Sequence, residues 1–219
     1  MNLIAANVLV GISLIFLGFW ISGVWLIASW LGLGFVLTGL GYAVNKPAIY
    51  GKNDKGGFPF WALLVYLPFF LYFLIMWHLV QWLIRENAYD WVTDTLVIGR
   101  RLSRKNYPVG VENYVDLTAE FYEPKAVIEK VNYIFLPILD GNFPDIQQLN
   151  AAFDKLANGI TYIHCGQGHG RTGLFTILLL AKRGMVSTPE EALAFLKSKR
   201  PKLALTAKQK AFVRTIMRQ

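Results

Sequence analysis

Residues 159–173 read Gly-Ile-Thr-Tyr-Ile-His-Cys-Gly-Gln-Gly-His-Gly-Arg-Thr-Gly, an apolar run entering a glycine-rich loop that opens a helical pattern. This order makes a cradle for phosphate. Gly166, Gly168 and Gly170 let successive backbone N–H groups turn inward, with Gln167 and His169 carried between them, and the helix that follows adds its positive end. Arg171 can grip two phosphate oxygens with its planar fork, which the point charge of a lysine cannot do. Cys165 stands at the entrance of that ring of donors, where amide dipoles, the helix start and Arg171 all favour its anion. A thiolate so placed can attack phosphorus in line while the cradle stabilises the equatorial oxygens.

The leaving alkoxide or phenoxide needs a proton from the opposite side of the phosphate, so a carboxylic acid must reach it. Asp140 is the candidate, in the turn-rich stretch Leu136-Pro137-Ile138-Leu139-Asp140-Gly141-Asn142-Phe143-Pro144 that follows a predicted strand. Asp145 precedes a helical pattern, where a helix-starting aspartate is the ordinary role. Thr172 either hydrogen-bonds the Cys165 sulfur and eases its departure in the second step, or simply caps the helix. A zinc site fits poorly, because His164 and His169 flank Cys165 at neither a two- nor a four-residue spacing and the chain has no second cysteine. No metal or cofactor is required, since the cradle and Arg171 supply the positive charge that a cation would bring. The lone cysteine also excludes an internal disulfide.

The elements that must hold this loop are legible as short β-branched runs alternating with helical ones, the pattern of a βαβ domain with a buried, mostly parallel sheet flanked by helices. Predicted strands are Thr95–Ile98, Tyr114–Leu117, Val131–Leu136 and Ile160–His164; predicted helices are Asp145–Ala157, Thr172–Arg183, Pro189–Lys199 and Ala207–Met217. Thr188, Pro189 and Glu191 form an N-cap, a first-turn proline and a capping-box glutamate. Residues 89–219 are expected to make one α/β domain.

At this point the residues amount to a signature. His164-Cys165, five residues, then Arg171-Thr172-Gly173 resembles the active-site loop of the cysteine-dependent protein-tyrosine and dual-specificity phosphatase superfamily, especially its compact members and the related lipid phosphatases. The similarity runs from about Asp94 to Phe212. Asp94-Thr95-Leu96-Val97-Ile98-Gly99 resembles the opening strand of such domains and Tyr114-Val115-Asp116-Leu117 their second core strand. Leu136-Pro137-Ile138 with Asp140 and Pro144 resembles their general-acid loop; Arg200-Pro201 with Gln209 and Phe212 matches their closing helices more loosely. The resemblance implies a compact dual-specificity-phosphatase-like fold, a cysteinyl-phosphate intermediate, and support of the loop from behind by His164. At the position of His169, phosphoinositide-directed members often carry lysine, a departure that bears on inositol-lipid specificity.

The first 88 residues have no counterpart in the minimal domain. No Asp, Glu, Lys or Arg occurs before Lys46, and none from Phe58 through Ile84. Mean hydropathy is +0.38 over 219 residues, and the apolar excess is concentrated here. The run 3–44 is twice what one crossing needs, so a break at Ser22-Gly23 predicts spans 3–21 and 24–44, and a third follows at 58–84 with Pro68 inside it. An all-α transmembrane region is expected. Its glycines either allow close helix packing or face lipid. His78 is either a functional intramembrane group or, near a span end, an interfacial one. All seven tryptophans lie in or just beyond this half, several near span ends where amphipathic rings prefer the interface. Met1–Asn7 lacks the basic start of a cleaved signal peptide, so the run reads as an anchor.

Lys46, Lys52 and Lys55 against Asp54 leave +2 in the first 84 residues, and +6 of the chain's +8 beyond them. A basic catalytic half beside spanning helices suits an anionic membrane surface or phosphorylated substrates; no nucleic-acid motif accompanies it. Five Lys or Arg within Arg85–Lys105 and the need to keep a thiol reduced place the catalytic domain in the cytoplasm. Partners are then the lipid bilayer and a phosphorylated substrate. The substrate is a phospholipid headgroup in the first reading and a phosphoprotein in the second; a third reading is a catalytically silent phosphate-binding membrane scaffold.

Overall fold

In the computed structural model, residues 3–102 and 107–218 are described; Arg104 and Lys105 of the basic segment lie outside them. The uncharged runs become helices α1 (Leu3–Ile21), α2 (Leu26–Ala43) and α3 (Phe60–Leu83). Their mean hydropathies of 2.3, 1.8 and 2.1 make each long and apolar enough to cross a membrane. The anticipated break is a backbone one: Ser22 and Gly23 have φ of 60° and 61°, values outside the right-handed helical region. A 3₁₀ turn over Gly23–Trp25 follows, which delays the regular second helix to Leu26. At the third run Pro59 and Ile84 are the flanking caps rather than helical residues, and Pro68 lies within the helix.

Between the two alternatives for the glycines, the structure selects packing. A Cβ added at Gly11 would lie 2.7 Å from the Gly32 carbonyl oxygen, and one at Gly32 would lie 2.5 Å from that of Gly11. Backbones that approach so closely gain dispersion contact that lipid tails would otherwise supply. Ser29 Oγ adds a hydrogen bond to the Ile15 carbonyl at 3.0 Å. His78 is exposed, with its ring 4.8 Å from that of Trp77.

The chain divides into two units, Met1–Arg85 with Ala119–Tyr122, and Glu86–Thr118 with Glu123–Gln219. The second is the α/β body. Its strands are β1 (Tyr89–Thr93), β2 (Leu96–Arg100), β3 (Val111–Thr118), β4 (Asn132–Ile138) and β5 (Ile160–Cys165), in the order β1-β2-β5-β3-β4. All neighbours are parallel except the β1–β2 hairpin. β1 is a strand that hydrophobic patterning does not reveal, because Tyr-Asp-Trp-Val-Thr sits at the sheet edge with only Val92 buried. The short helix α4 (Lys125–Ile128) is likewise additional.

Helices α5 (Ile146–Asp154), α6 (Gly170–Lys182), α7 (Pro189–Lys199) and α8 (Ala207–Ile216) complete the unit. Ile98, Val115, Ile163 and Leu136 from the strands share one core with Phe175 and Leu196 from the helices; burying each such side chain contributes about 1.5–3 kcal/mol. The opposite face carries Val97, Tyr114 and Tyr162 with Val127 of α4. Asp145 is the N-cap of α5, accepting from the Gln147 and Gln148 amides, so that helix starts one residue later than the sequence pattern. The Thr188–Glu191 capping box of α7 is present.

The candidate active site

The central position of β5 decides where the site lies. Flanked by β2 and β3, it delivers Cys165 to the carboxyl end of the sheet, at the point where strand order departs from chain order and crevices form. Cys165 is 3% exposed, and its Sγ accepts the Gly168 N–H at 3.3 Å. Gly168 can make this contact only as glycine. Its φ is +75°, and a Cβ there would fall on the Gly99 carbonyl group and within 2.7 Å of Arg100 N. Meanwhile the Arg101 amide holds the Cys165 carbonyl at 2.8 Å, tying the loop to the residue just after β2.

Helix α6 begins at Gly170 rather than Thr172, with His169 in the N-cap position and no side-chain cap. That corrects the sequence-based start and removes capping as a role for Thr172, which is the third helical residue. Its buried hydroxyl has no hydrogen-bond partner among the described residues. Arg171, 3% exposed, is braced through Nη1 against the carbonyls of Ile138 at 3.0 Å and Leu117 at 3.4 Å. Its Nε lies 3.3 Å from Asp140 Oδ1, and the Asp140 side chain is 69% exposed. Guanidinium and carboxylate therefore lie side by side, although 31 positions separate them in the chain. Gly166 is buried, and Gln167 and His169 are partly so.

Behind the loop lie residues that spacing does not reveal. Arg200 is 1% exposed and clamps two loop carbonyls, Gly168 through Nε at 2.9 Å and Gln167 through Nη2 at 3.1 Å. Its charge is balanced by Asp90 of β1 at 2.6 Å and Glu86 at 3.4 Å. Glu86 also holds His169 Nε2 at 2.9 Å. The acid loop has its own staple: Thr206 Oγ1 donates to the Gly141 carbonyl at 2.8 Å and Gln209 Nε2 to that of Asn142 at 2.9 Å.

His164 is fully buried, with Nε2 3.6 Å from Asp116 Oδ1. Tyr114 and Tyr162 pack on its ring with centroids at 4.7 and 5.9 Å. Asp116 accepts from the Thr118 amide, the Thr118 hydroxyl and the Tyr133 hydroxyl, and Glu123 accepts from Arg101 and Tyr114. Although His164, Asp116 and Glu123 could group ligand atoms around a cation, these donors already occupy both carboxylates. Burial pushes the Tyr114 and Tyr162 phenols well above the ordinary tyrosine range; for Tyr114 the neighbouring Glu123 charge adds to it.

Residues 98–219 match the family described as PTP-SAK, Swiss Army Knife protein, DSP-PTPase phosphatase domain. Protein 197R of Invertebrate iridescent virus 6, which carries a tyrosine-phosphatase name, is 38% identical over 97 residues, covering 39% of this chain. The chain spans about a third of that relative's length, 36%. Among solved structures, PTPMT1 in complex with PI(5)P superposes with a TM-score of 0.52 at 16% identity, covering 60% of this chain and 96% of that one. The active form of Tk-PTP gives 0.52 at 19% identity, with 62% and 99% covered. These likenesses share the fold of the α/β unit, with its mixed sheet and flanking helices. Since the family match covers more than half the sequence, from β2 through α8, this chain belongs to the DSP-PTPase phosphatase-domain family of the cysteine-dependent phosphatases.

Proposed function

We propose that this chain is a membrane-anchored phosphatase that hydrolyses phosphate monoesters through a cysteinyl-phosphate intermediate, with a phospholipid headgroup phosphate as favoured substrate. The observation that carries the chemistry is the loop donor on the nucleophile, Gly168 N–H to Cys165 Sγ, with Arg171 and Asp140 paired beside it. In the first step the Cys165 thiolate attacks phosphorus, the S–P bond forms, the P–O bond to the leaving group breaks, and Asp140 gives its proton to the departing oxygen. Amides of residues 166–170 and the Arg171 fork take up the charge of the equatorial oxygens. In the second step water attacks phosphorus, Asp140 takes its proton, the S–P bond breaks, and the Thr172 hydroxyl donates to the departing sulfur. His164 supports the loop from behind. The reaction draws on no cofactor or metal.

Three apolar helices support a bilayer anchor, with residues 1–88 as the membrane region and 89–219 as the catalytic domain. The thiol chemistry fits a cytoplasmic face. An anchored site meets lipid phosphate at high effective concentration, and the fold neighbour PTPMT1 is seen in complex with PI(5)P. A phosphoprotein substrate is the second reading, favoured by the tyrosine-phosphatase name of 197R. Phosphate release by purified full-length protein from lipid vesicles and from phosphotyrosyl peptides decides between them. Turnover of peptides alone ends the lipid reading; unchanged activity in Cys165→Ser ends the mechanism.

A further inference from the structure

Of the 22 Lys and Arg in the chain, 19 lie beyond Ile84, with 13 of the 14 Asp and Glu. The stretch Lys197–Lys210 holds six of those cations (Lys197, Lys199, Arg200, Lys202, Lys208 and Lys210) and no acid, so the rest of the catalytic half carries 13 of each sign and the whole of its +6 resides here. Arg200 is buried and answered by Asp90 and Glu86. The five lysines are exposed, and none pairs with a carboxylate among the described residues. Lys199 has a ring contact, its Nζ 5.9 Å from the Phe195 centroid. The same stretch is fastened to both loops of the site: Arg200 grips the Gln167 and Gly168 carbonyls, and Thr206 and Gln209 hold those of Gly141 and Asn142.

We propose that Lys197–Lys210 is a docking surface for anionic lipid headgroups. The proposal rests on the bilayer-anchor part of the reading above and is independent of whether lipid is the substrate. Like charges crowded on one short stretch repel, and a surface of opposite sign relieves that repulsion. The residue types choose the occupant. A protein interface is built on aromatic and arginine anchors and is depleted in lysine, whereas the exposed residues between these lysines are Ser198, Pro201, Ala204, Thr206 and Ala207. None of those side chains is large enough to anchor a folded partner. Lysines are point charges on flexible stems that need no fixed geometry, which suits headgroups that diffuse, and about four to eight cations held near a membrane suffice to bind its anionic lipids. Because Arg200, Thr206 and Gln209 tie the stretch to the phosphate loop and the acid loop, docking it carries both loops to the headgroup layer.

The test uses full-length protein in nanodiscs of phosphatidylcholine alone and of equal parts phosphatidylcholine and phosphatidylglycerol, with lysine acetylation read by mass spectrometry. Lys155 is the internal reference, since it is exposed and lies at the opposite, amino end of the sheet, where its carbonyl accepts from Asn132 Nδ2 at the start of β4. Relative to Lys155, the five lysines should be labelled at least about fivefold more slowly in the anionic discs, the worth of a single lysine near a charged leaflet. That protection should disappear as salt rises from about 0.1 M to about 1 M. The double variant Lys202→Gln, Lys208→Gln should lose most of the protection at Lys197, Lys199 and Lys210 while turning over an aryl phosphate in neutral discs as the wild type does; Lys202→Arg with Lys208→Arg should retain it. Equal labelling in the two discs overturns the proposal, as does protection that persists at high salt or in the glutamine variant. Protection of the same lysines by a soluble acidic phosphopeptide, with none from anionic discs, overturns it in favour of a protein partner. Release of the chain from vesicles by alkaline carbonate sinks the anchor reading instead.

Discussion

Gly168→Ala tests whether the backbone of the phosphate cradle is held as tightly as the structure shows. The native φ of +75° is one that an L side chain adopts at a cost of about 1–2 kcal/mol. The new methyl group would also collide with the Gly99 carbonyl and crowd Arg100 N at 2.7 Å. That neighbour is backbone at the carboxyl end of β2, a strand paired on both sides, so forced overpacking adds about 1–3 kcal/mol. The expected loss is about 2–5 kcal/mol, or on the order of 10 °C in melting temperature for a domain of this size. Turnover should suffer separately, because a displaced Gly168 N–H no longer faces the Cys165 sulfur; losing one oriented donor of this kind costs about a hundredfold. Differential scanning fluorimetry of the detergent-purified chain and steady-state hydrolysis of an aryl phosphate read both quantities. Gly184→Ala is the control, since its φ is +68° but nothing lies within 4 Å of the added carbon, so it carries the conformational cost without the collision and should cost less. A Gly168→Ala protein melting within about 2 °C of wild type, with turnover unchanged, would refute the steric account of the loop.

Asp140→Ala should cripple hydrolysis of substrates with poor leaving groups, such as alkyl phosphates, while sparing activated aryl phosphates; an equal loss on both, read from kcat/KM, counts against a proton donor. Arg200→Met removes one partner from a buried charge cluster and leaves Asp90 and Glu86 facing no guanidinium; the expected destabilisation is about 3–5 kcal/mol, measured by thermal or denaturant unfolding. Tyr114 and Tyr162 titrate above the ordinary tyrosine range when folded because they are buried, and burial pushes Tyr107 up to about 12. Groups raised on folding give stability that is present below the unfolded value near 10 and lost as pH rises through the folded one. Unfolding followed by circular dichroism should therefore set in above about pH 10 together with tyrosinate absorbance.

The site was legible where chemistry and local geometry coincide in a short stretch. Strand β5, its loop and the opening of α6 are contiguous, and only a few residue types can make an anion cradle there. Asp140 was legible because the turn-rich stretch after β4 had to carry it to the same end of the sheet. Arg200 entered only through the family resemblance and Glu86 and Asp90 not at all, because their work is hydrogen bonding to backbone carbonyls and ion pairing across more than 100 positions, which leaves no periodic trace. The first strand escaped for a related reason: an edge position buries one side chain of five, so alternation is lost, and its identity comes from pairing with β2. The start of α6 was misplaced because glycine and arginine at its first turn read as loop, whereas the loop's hydrogen bonding draws them into the helix. Glycine spacing in the first two helices left packing and lipid exposure equally open until the facing pair Gly11 and Gly32 was seen.

The hydrogen bonds from Thr206 and Gln209 to the acid loop bear on how the molecule acquires competence during synthesis. Translation delivers the nucleophile strand and its glycine cradle about forty residues before the helix that fastens Gly141 and Asn142. A chain paused between those points could already capture a phosphate yet would hold its proton donor on an untethered segment. On the proposed mechanism, turnover thereby waits on α8, and a shorter polypeptide would hold the nucleophile without a fastened proton donor.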